Sequence, residues 1–195
     1  MIANISERSG GKPLFVSGAT GRHGGTGHVI IRELLKRGAR VRALARVDDE
    51  RAASLRAAGA DVVIGDLQDH RTLRSSLEGV EAAYFTYPMK LGSVDAAANF
   101  AAAARAARVP RIVIMSAISA GPEHPSPLAR SKWLADQVIE WAGLPYLSLR
   151  VAGWFYENLT LLHGTDIRGD GVIRNSFDGD VQVPCIASSD AGRSG

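Results

Sequence analysis

Short apolar segments alternate with longer segments of helical periodicity along most of the chain. The first apolar segment, residues 14–16, precedes a glycine-rich turn and then apolar residues at helical spacing from Ile30 to Leu35, with Gly38 placed to end that helix. Such alternation is typical of a parallel sheet whose strands are connected by crossover helices. The further predicted strands are 41–45, 61–64, 81–86, 111–115 and 146–150, and the further predicted helices are 51–58, 70–77, 94–107 and 128–141.

This alternation stops in the last part of the chain. Residues 169–171 and 178–180 combine aspartate with glycine, which is typical of turns around short extended pieces, and no closing helix is expected. We therefore expect an α/β fold with a doubly wound parallel sheet in residues 13–152. A flexible leader (1–12) precedes it, and a partial C-terminal lobe (153–195) follows it.

Composition and charge exclude several classes of protein. The 195 residues are 46% hydrophobic and 22% charged, which is enough apolar material for a core. The net charge is only +3 and the arginines form no basic tract, so we expect no nucleic-acid partner. Cys185 is the single cysteine of the sequence, so no internal disulfide is expected. No cluster of Cys and His has metal-ligand spacing, so no metal site is expected. No run approaches the ~20 apolar residues of a membrane helix, so a cytoplasmic protein without a membrane partner is expected.

The glycine-rich turn is the strongest functional signal. Gly18, Gly21 and Gly24 follow one another at three-residue spacing between a predicted strand and a predicted helix. In that context the first glycine allows a tight turn, the second lets the backbone approach a pyrophosphate, and the third lets the helix pack closely on the sheet. The helix N-terminus adds unpaired N–H groups for phosphates. A dinucleotide site is predicted, and the alternative is a simple strand-to-helix turn rich in glycine.

The residue after the second strand predicts which dinucleotide is preferred. Dinucleotide folds usually place an acidic residue here to bind the ribose hydroxyls, whereas this chain has Arg46. An arginine can stack on adenine and form two hydrogen bonds to a 2′-phosphate, so we expect NADP(H) in preference to NAD(H). Arg22 in the turn could assist. Asp48 or Asp49 would reach a ribose instead if the strand ended later.

The order and spacing of several segments resemble those of the NmrA-like family, atypical short-chain dehydrogenase/reductases with a Rossmann fold. These segments are GATGRHGG at 18–25, Arg46, GDL at 65–67, SKW at 131–133 and GLPY at 143–146, and the resemblance extends from about residue 14 to 190. It implies an NAD(P)-binding domain in residues 13–152. The cofactor contacts that it implies are Gly18, Thr20, Gly21, Arg22, His23, Gly24, Arg46, Asp66, Leu67, Thr86 and Lys132.

The same resemblance implies a role for each of these residues. The glycine turn matches the loop over the pyrophosphate, and Arg46 matches the residue on the adenosine ribose or its 2′-phosphate. Asp66 and Leu67 match residues that flank the adenine, and residues 153–158 match a loop that borders the nicotinamide and the substrate pocket. The nicotinamide and substrate side is assigned to Thr86, Tyr87, Lys132, Phe155, Tyr156 and Asn158, with Lys132 and Tyr87 as the catalytic candidates.

One departure from the family pattern concerns proton transfer. Typical short-chain dehydrogenases carry Tyr-x-x-x-Lys, in which the lysine lowers the pKa of the tyrosine phenol, and here Leu128 occupies the tyrosine position before Lys132. Ser116 and Ser119 lie where the companion serine is expected, although a serine at a strand end often bonds the local backbone instead. The candidate replacements for the tyrosine are Tyr87, Tyr156 and His23.

Another departure is the end of the chain. Residues 181–193 are similar to the family's strand followed by an Asp-initiated helix, after which members continue through much of the substrate lobe. We expect a fragment or a divergent tail, a substrate pocket that lacks a wall, and exposed apolar surface that favours self-association.

The resemblance implies an NADPH-dependent oxidoreductase that passes hydride to a quinone-like or carbonyl acceptor. Leu128 motivates an alternative, a non-catalytic redox sensor whose NADP(H) occupancy controls a regulatory protein partner. A third interpretation is an inactive copy that folds as a bare Rossmann core.

Overall fold

The strands form a six-stranded sheet in which each runs parallel to its neighbours. The computed structural model describes residues 11–21, 25–151, 154–173 and 180–194. The strands are β1 (Leu14–Val16), β2 (Val41–Ala45), β3 (Asp61–Ile64), β4 (Ala82–Phe85), β5 (Ile112–Ala117) and β6 (Tyr146–Val151). The connecting helices are α1 (Thr26–Lys36), α2 (Glu50–Ala57), α3 (His70–Leu77), α4 (Ser93–Ala106) and α5 (Pro127–Trp141). The strand order β3-β2-β1-β4-β5-β6 confirms the predicted doubly wound sheet.

Each face of the sheet has its own hydrophobic core, because successive residues of a strand point to opposite faces. Phe15 and Phe85 belong to the core shared with α3, α4 and α5, where the rings of Phe85 and Phe100 stack with centroids 4.7 Å apart. Val16 and Tyr84 belong to the core shared with α1 and α2. Helices therefore cover both faces, which explains why the central strands β1 and β4 are continuous apolar runs in the sequence.

Two aspartates determine where α2 and α3 begin. The Asp49 carboxylate accepts hydrogen bonds from the backbone N–H groups of Arg51 and Ala52, and Asp69 accepts one from the N–H of Arg71. Each aspartate is thus an N-cap that satisfies N–H groups left unpaired by the first helical turn. Helix α3 coincides with its predicted range, and α2 begins one residue earlier than predicted.

The order of the strands reverses between β1 and β4. Chain order runs outward from β1 through β2 to β3 and then returns to β4 on the other side of β1. Just beyond the two strand ends, the Ser17 hydroxyl accepts a hydrogen bond from the Thr86 N–H (2.8 Å) and donates one to the Thr86 carbonyl (3.1 Å). Sheets of this kind bind ligands at the carboxyl ends of the strands where the order reverses.

The C-terminal part contains two helices that contradict the prediction of short extended pieces without a closing helix. The additional elements are β7 (Trp154–Phe155), α6 (Tyr156–Gly169), β8 (Cys185–Ile186) and α7 (Ser188–Ser194). Helix α6 was missed because its buried residues are His163 and Gly164 rather than large apolar side chains, which hides the helical period. The predicted turn at 169–171 lies at the end of α6, and the one at 178–180 falls mostly outside the described residues.

Helix α7 returns to the sheet and packs on α1, with Asp190 in its first turn as the family resemblance implied. Ala191 is buried in the core of that face. A Cβ atom on Gly192 would lie 2.6 Å from Cγ1 of Val29, so the two helices approach closely only because this residue is glycine. The Glu157 carboxylate accepts the backbone N–H of Ser188 at 3.0 Å and so links α6 to α7.

No helix within the described ranges is both long enough and apolar enough to cross a bilayer.

Candidate functional site

A cavity of about 490 Å³ lies at the carboxyl ends of β1, β2, β3 and β4, beside the reversal of strand order. Its volume is in the range of ordinary ligand pockets. It is lined by Gly18, Thr20, Gly21, Leu44, Arg46, Val47, Arg51, Gly65, Asp66, Leu67, Thr86, Tyr87, Pro88 and Lys90. The structure therefore brings together around one cavity the predicted residues Gly18, Thr20, Gly21, Arg46, Asp66, Leu67, Thr86 and Tyr87.

The turn after β1 has a shape that requires glycine at its first position. Gly18 has φ of 67°, and a Cβ atom there would lie 2.3 Å from Cγ2 of Thr86. The Gly21 N–H donates to the Gly18 carbonyl at 3.1 Å, which closes the turn. The backbone therefore lies open to the cavity, as the predicted role of both glycines requires. The predicted contacts Arg22, His23 and Gly24 lie outside the described residues.

A further glycine, Gly27, allows α1 to pack against the end of β1. A Cβ atom on Gly27 would lie 2.7 Å from the carbonyl oxygens of both Ser17 and Gly18. We expected this packing role for Gly24, and Gly27 meets its geometric requirement. The sequence does carry a signal for it, because the three-residue glycine spacing continues from Gly24 to Gly27.

The N-terminus of α1 faces the turn and is fixed from the sheet side. Its N-cap is Gly25, which has no side chain to occupy the first N–H groups of the helix, so these are available to an anion. The buried Tyr84 hydroxyl of β4 donates to Oγ1 of Thr26, the first residue of α1, at 3.1 Å. Burial raises the pKa of Tyr84 to about 12, so the phenol stays protonated and keeps this bond.

Arg46 contributes a positive charge at the end of β2 that is not committed to a partner. It is exposed, lines the cavity, and forms no ion pair with any other residue in the described ranges. The nearby carboxylates are engaged elsewhere: Asp48 pairs with Arg56 at 2.6 Å, and Asp49 caps α2. The strand does not extend to either aspartate, and neither lines the cavity.

The segments after β3 and β4 are held together by Gln68, which sequence reasoning missed. Its side-chain amide donates to the Tyr87 hydroxyl at 3.1 Å and to the Gly92 carbonyl at 2.6 Å. Tyr87 accepts this bond, so its own O–H proton is free to be donated. Lys90 lies over the Tyr87 ring with Nζ 5.4 Å from the centroid. The Asp66 carboxylate accepts a hydrogen bond from the backbone N–H of Gln68 at 2.9 Å.

Lys132 does not line the cavity. Its ammonium lies 3.2 Å from Oδ1 of Asp136, and both residues are buried, at 5% and 6% exposure. The other Asp136 oxygen accepts a hydrogen bond from the Ser116 hydroxyl of β5. Burial lowers the pKa of Lys132, while the attraction of Asp136 opposes that shift. This predicted cofactor contact and catalytic candidate is therefore part of a buried ion pair, and Leu128 precedes it by one helical turn on α5.

The predicted substrate residues lie apart from the cavity. Residues 154–158 form β7 and the start of α6 rather than a loop, which corrects that expectation. Phe155 packs against the core shared with α1, and Tyr156 is exposed. Asn158 is half-buried and interacts within the chain. None of the three lines the 490 Å³ cavity.

A family model described as NAD(P)H-binding matches residues 18–172. The chain belongs to this NAD(P)H-binding family. It is 31% identical over 153 residues to the NAD(P)H azoreductase of Xenophilus azovorans. The aligned region covers 76% of this chain and 52% of the azoreductase. It is also similar to the crystal structure of an NADPH-dependent quinone oxidoreductase from Escherichia coli complexed with NADPH. That similarity has a TM-score of 0.67, 28% identity, and coverage of 80% of this chain and 54% of the other.

A third match concerns the fold alone. The structure of Nmra, a negative transcriptional regulator, has a TM-score of 0.76 and 23% identity, and covers 93% of this chain and 60% of Nmra. The family match and this shared fold confirm the predicted resemblance to NmrA-like proteins. The chain spans about half the length of the curated relatives that it matches first.

The cavity fits the NAD(P)H that defines this family. Gly18 and Gly21 leave backbone open where side chains would fill the space, and the first turn of α1 presents N–H groups to phosphate. The lining contains three basic side chains, Arg46, Arg51 and Lys90, against one carboxylate, Asp66, which suits an anionic ligand. Among the described residues no cluster of three or more His, Cys, Asp or Glu side chains could hold a metal ion.

Proposed function

We propose that the protein binds NADP(H) in preference to NAD(H) in the 490 Å³ cavity. The observation that carries this proposal is Arg46, an exposed guanidinium at the end of β2 that pairs with no carboxylate of the described residues, beside aspartates that are already engaged. A guanidinium can form two hydrogen bonds to a 2′-phosphate, whereas a ribose hydroxyl gains little from it. In this arrangement Asp66 and Leu67 flank the adenine and the turn from Gly18 to Gly21 covers the pyrophosphate.

We propose further that the bound cofactor is used for reduction of a quinone-like or carbonyl acceptor. NADPH supplies a hydride when bound, and the protein orients it and holds a proton source. Thr86 and Tyr87 line the cavity after β4, on the side away from Arg46 in strand order, so the nicotinamide end extends toward them. The name of the quinone oxidoreductase supports a quinone-like acceptor, and that of the azoreductase supports the reduction of a small-molecule acceptor in general.

The absence of a Tyr–Lys pair favours the quinone-like acceptor over the carbonyl. Leu128 occupies the tyrosine position, and Lys132 is buried against Asp136. Hydride addition to an aldehyde produces a strongly basic alkoxide that needs an acid in the site, whereas a hydroquinone oxyanion is far less basic. The Tyr87 hydroxyl accepts a bond from Gln68 and donates to no other described residue, and we propose it as the proton donor for the hydroquinone oxyanion.

The test is a calorimetric titration of the chain with NADPH, NADP⁺, NADH and NAD⁺, repeated on Arg46→Ala. We expect the variant to lose about ten- to one-hundredfold in affinity for the two phosphorylated cofactors, the equivalent of a charged hydrogen bond, and to bind NADH unchanged. Arg32→Ala is the matched control, because it removes an exposed arginine that does not line the cavity. Equal losses for NADPH and NADH, or no loss, would contradict the preference. No binding by the unchanged chain would contradict the site itself.

Turnover is tested separately by NADPH oxidation with 1,4-benzoquinone and with benzaldehyde. We expect the quinone to be reduced faster than the aldehyde, and Tyr87→Phe to slow both.

A second candidate function rests on the same missing acid. If Leu128 and the buried Lys132 leave the site without a group that can donate a proton to the acceptor, the protein is a dinucleotide sensor that acts through a protein partner. It would then bind NADP(H) without oxidising it with either acceptor.

A further inference from the structure

The guanidinium of Arg51 bridges α2 and the glycine turn. Its Nε and Nη2 atoms donate to Oδ2 of Asp49 at 2.9 and 2.6 Å, and its Nη1 atom donates to the Thr20 carbonyl at 2.8 Å. We call this set of contacts among Asp49, Arg51 and Thr20 the Arg51 clasp. It connects a helix to a turn that is 31 residues away in sequence.

The clasp lies at a position that matters for the turn. Arg51, Thr20 and Gly21 line the 490 Å³ cavity on one side and a neighbouring cavity of about 250 Å³ on the other. The turn therefore has open space on both sides, and the bond from Arg51 to the Thr20 carbonyl spans the boundary between them. Ala19 anchors the start of the turn in the core shared with α1 and α2, whereas Thr20 and Gly21 border both cavities and depend on specific contacts to stay in place.

The chain contains a second aspartate–arginine pair, at the start of α3, with which the Asp49–Arg51 pair can be compared. At the start of α3, Asp69 caps the helix and pairs with Arg71, just as Asp49 caps α2 and pairs with Arg51. Both arginines stand two residues after their aspartate. Within the described residues, the guanidinium of the α2 pair extends to the cavity turn and that of the α3 pair does not, so the bond to Thr20 is not a by-product of the local motif.

We propose that Arg51 is a positioning residue that fixes the phosphate-binding turn before the dinucleotide binds, and that Asp49 holds Arg51 in the required orientation. This inference rests on the proposed function of the cavity. Fixing a binding loop in advance lowers the ordering cost of association. The turn covers the pyrophosphate, which NADPH and NADH share. Loss of the clasp therefore weakens both cofactors by the same factor, unlike loss of Arg46.

Arginine is required at this position because three donors of one planar group are in use. Two donors are committed to Asp49, and the third reaches Thr20. A lysine ammonium keeps the charge but is a point donor on a flexible stem, and it does not reproduce this fork. Asp49→Asn keeps an oxygen for the helix cap and loses the charge that orients Arg51.

The experiment measures dissociation constants for NADPH and NADH on the full chain and on Arg51→Ala, Arg51→Lys and Asp49→Asn. Arg71→Ala is the control, since it removes the same local pair at α3 without touching the turn. We expect Arg51→Ala to weaken both cofactors by about two- to tenfold, the range of one net hydrogen bond, with their affinity ratio unchanged. Arg51→Lys should not restore affinity, Asp49→Asn should lie between, and Arg71→Ala should have no effect.

Thermal midpoints separate positioning from general stability. Arg51→Ala and Arg71→Ala should shift the midpoint by similar amounts, while only the former changes binding. A loss confined to NADPH, or recovery by Arg51→Lys, would indicate direct attraction to the 2′-phosphate and overturn the clasp. Unchanged affinities in Arg51→Ala would overturn the clasp while leaving the proposed function intact. No binding of either cofactor by the unchanged chain would overturn both.

Discussion

The close approach of α1 to the end of β1 can be tested with a single methyl group. In Gly27→Ala the added Cβ atom would lie 2.7 Å from the carbonyl oxygens of Ser17 and Gly18, whereas real Cβ atoms stay at 3.0 Å or more. The helix must therefore retreat by at least 0.3 Å, the difference between these two distances. Backbone atoms on both sides make this retreat costly, because no flexible side chain can give way.

The magnitude follows from two opposing effects. Overpacking of a well-packed region costs about 1–3 kcal/mol. Replacing glycine by alanine in a helix stabilises the folded state by up to about 1 kcal/mol. We expect the free energy of unfolding to fall by about 1–2 kcal/mol. For a chain of this size, that lowers the thermal midpoint by roughly 2–8 °C. Because the N-terminus of α1 moves with the helix, NADPH affinity should fall about two- to fivefold.

The assay is thermal unfolding followed by circular dichroism, combined with calorimetric titration of NADPH. Gly169→Ala is the matched control, since Gly169 is the last residue of α6 and its added Cβ would meet nothing within 4 Å. The control should leave the midpoint unchanged or raise it. If Gly27→Ala behaved like Gly169→Ala, the tight contact between α1 and β1 would be refuted, and with it the packing role of Gly27.

Three further substitutions test individual contacts. Burial raises the pKa of Tyr84 from 10.0 to about 12. Its contribution to stability is therefore complete below pH 10 and is lost between pH 10 and 12, by up to about 3 kcal/mol, and Tyr84→Phe should remove this part of alkaline unfolding. Gly18→Ala places a methyl 2.3 Å from Thr86 Cγ2 at φ of 67° and should cost about 2–5 kcal/mol in urea denaturation. Adding Thr86→Ser, which deletes that methyl, should leave only the backbone cost of about 1–2 kcal/mol. Asp136→Ala leaves Lys132 buried without its partner and should cost about 3–5 kcal/mol, most of which Asp136→Leu with Lys132→Met should recover.

Each of these predictions has a result that contradicts it. Identical alkaline unfolding of wild-type and Tyr84→Phe protein would show that the phenol is not protected by burial. Failure of Thr86→Ser to improve Gly18→Ala would place the whole cost in the backbone. A small effect of Asp136→Ala would mean that Lys132 reaches water or loses its proton at little cost.

The sheet could be predicted from sequence because its strands are covered on both faces. Uninterrupted apolar runs such as Ile112–Met115 have few other stable environments, and Asp69 begins a helix by the local chemistry of its carboxylate. Helix α6 escaped prediction for the opposite reason. It buries His163 and Gly164, so its buried face carries no apolar period. Gly169 and Gly171 are typical of a turn, so the sequence predicts the end of the helix but not the helix itself.

In the candidate site, too, some features could be predicted from the sequence and others could not. The parts that depend on backbone shape, Gly18 and Gly21, follow from spacing alone, since glycine has few reasons to recur there other than a tight turn. Contacts between side chains of distant segments did not follow. Arg51 reaches a carbonyl 31 residues earlier, and Ser116 meets an aspartate 20 residues later. Nothing local in the sequence distinguishes Arg51 from Arg71, although one is part of the cavity.

Arg46, Arg51, Lys90 and Lys132 fall into two groups, according to whether the side chain has a carboxylate partner within the described residues. Arg51 and Lys132 each have a carboxylate partner within 3.2 Å, so their charges are largely cancelled and their geometry is fixed. Arg46 has no such partner in the described part of the chain, and Lys90 lies over the Tyr87 ring. A cancelled charge contributes little to the attraction of a phosphate but constrains the backbone around it, whereas an uncancelled charge does the reverse. Selectivity for the 2′-phosphate should therefore depend on salt concentration through Arg46, and the affinity shared by NADPH and NADH should depend on the integrity of the paired residues.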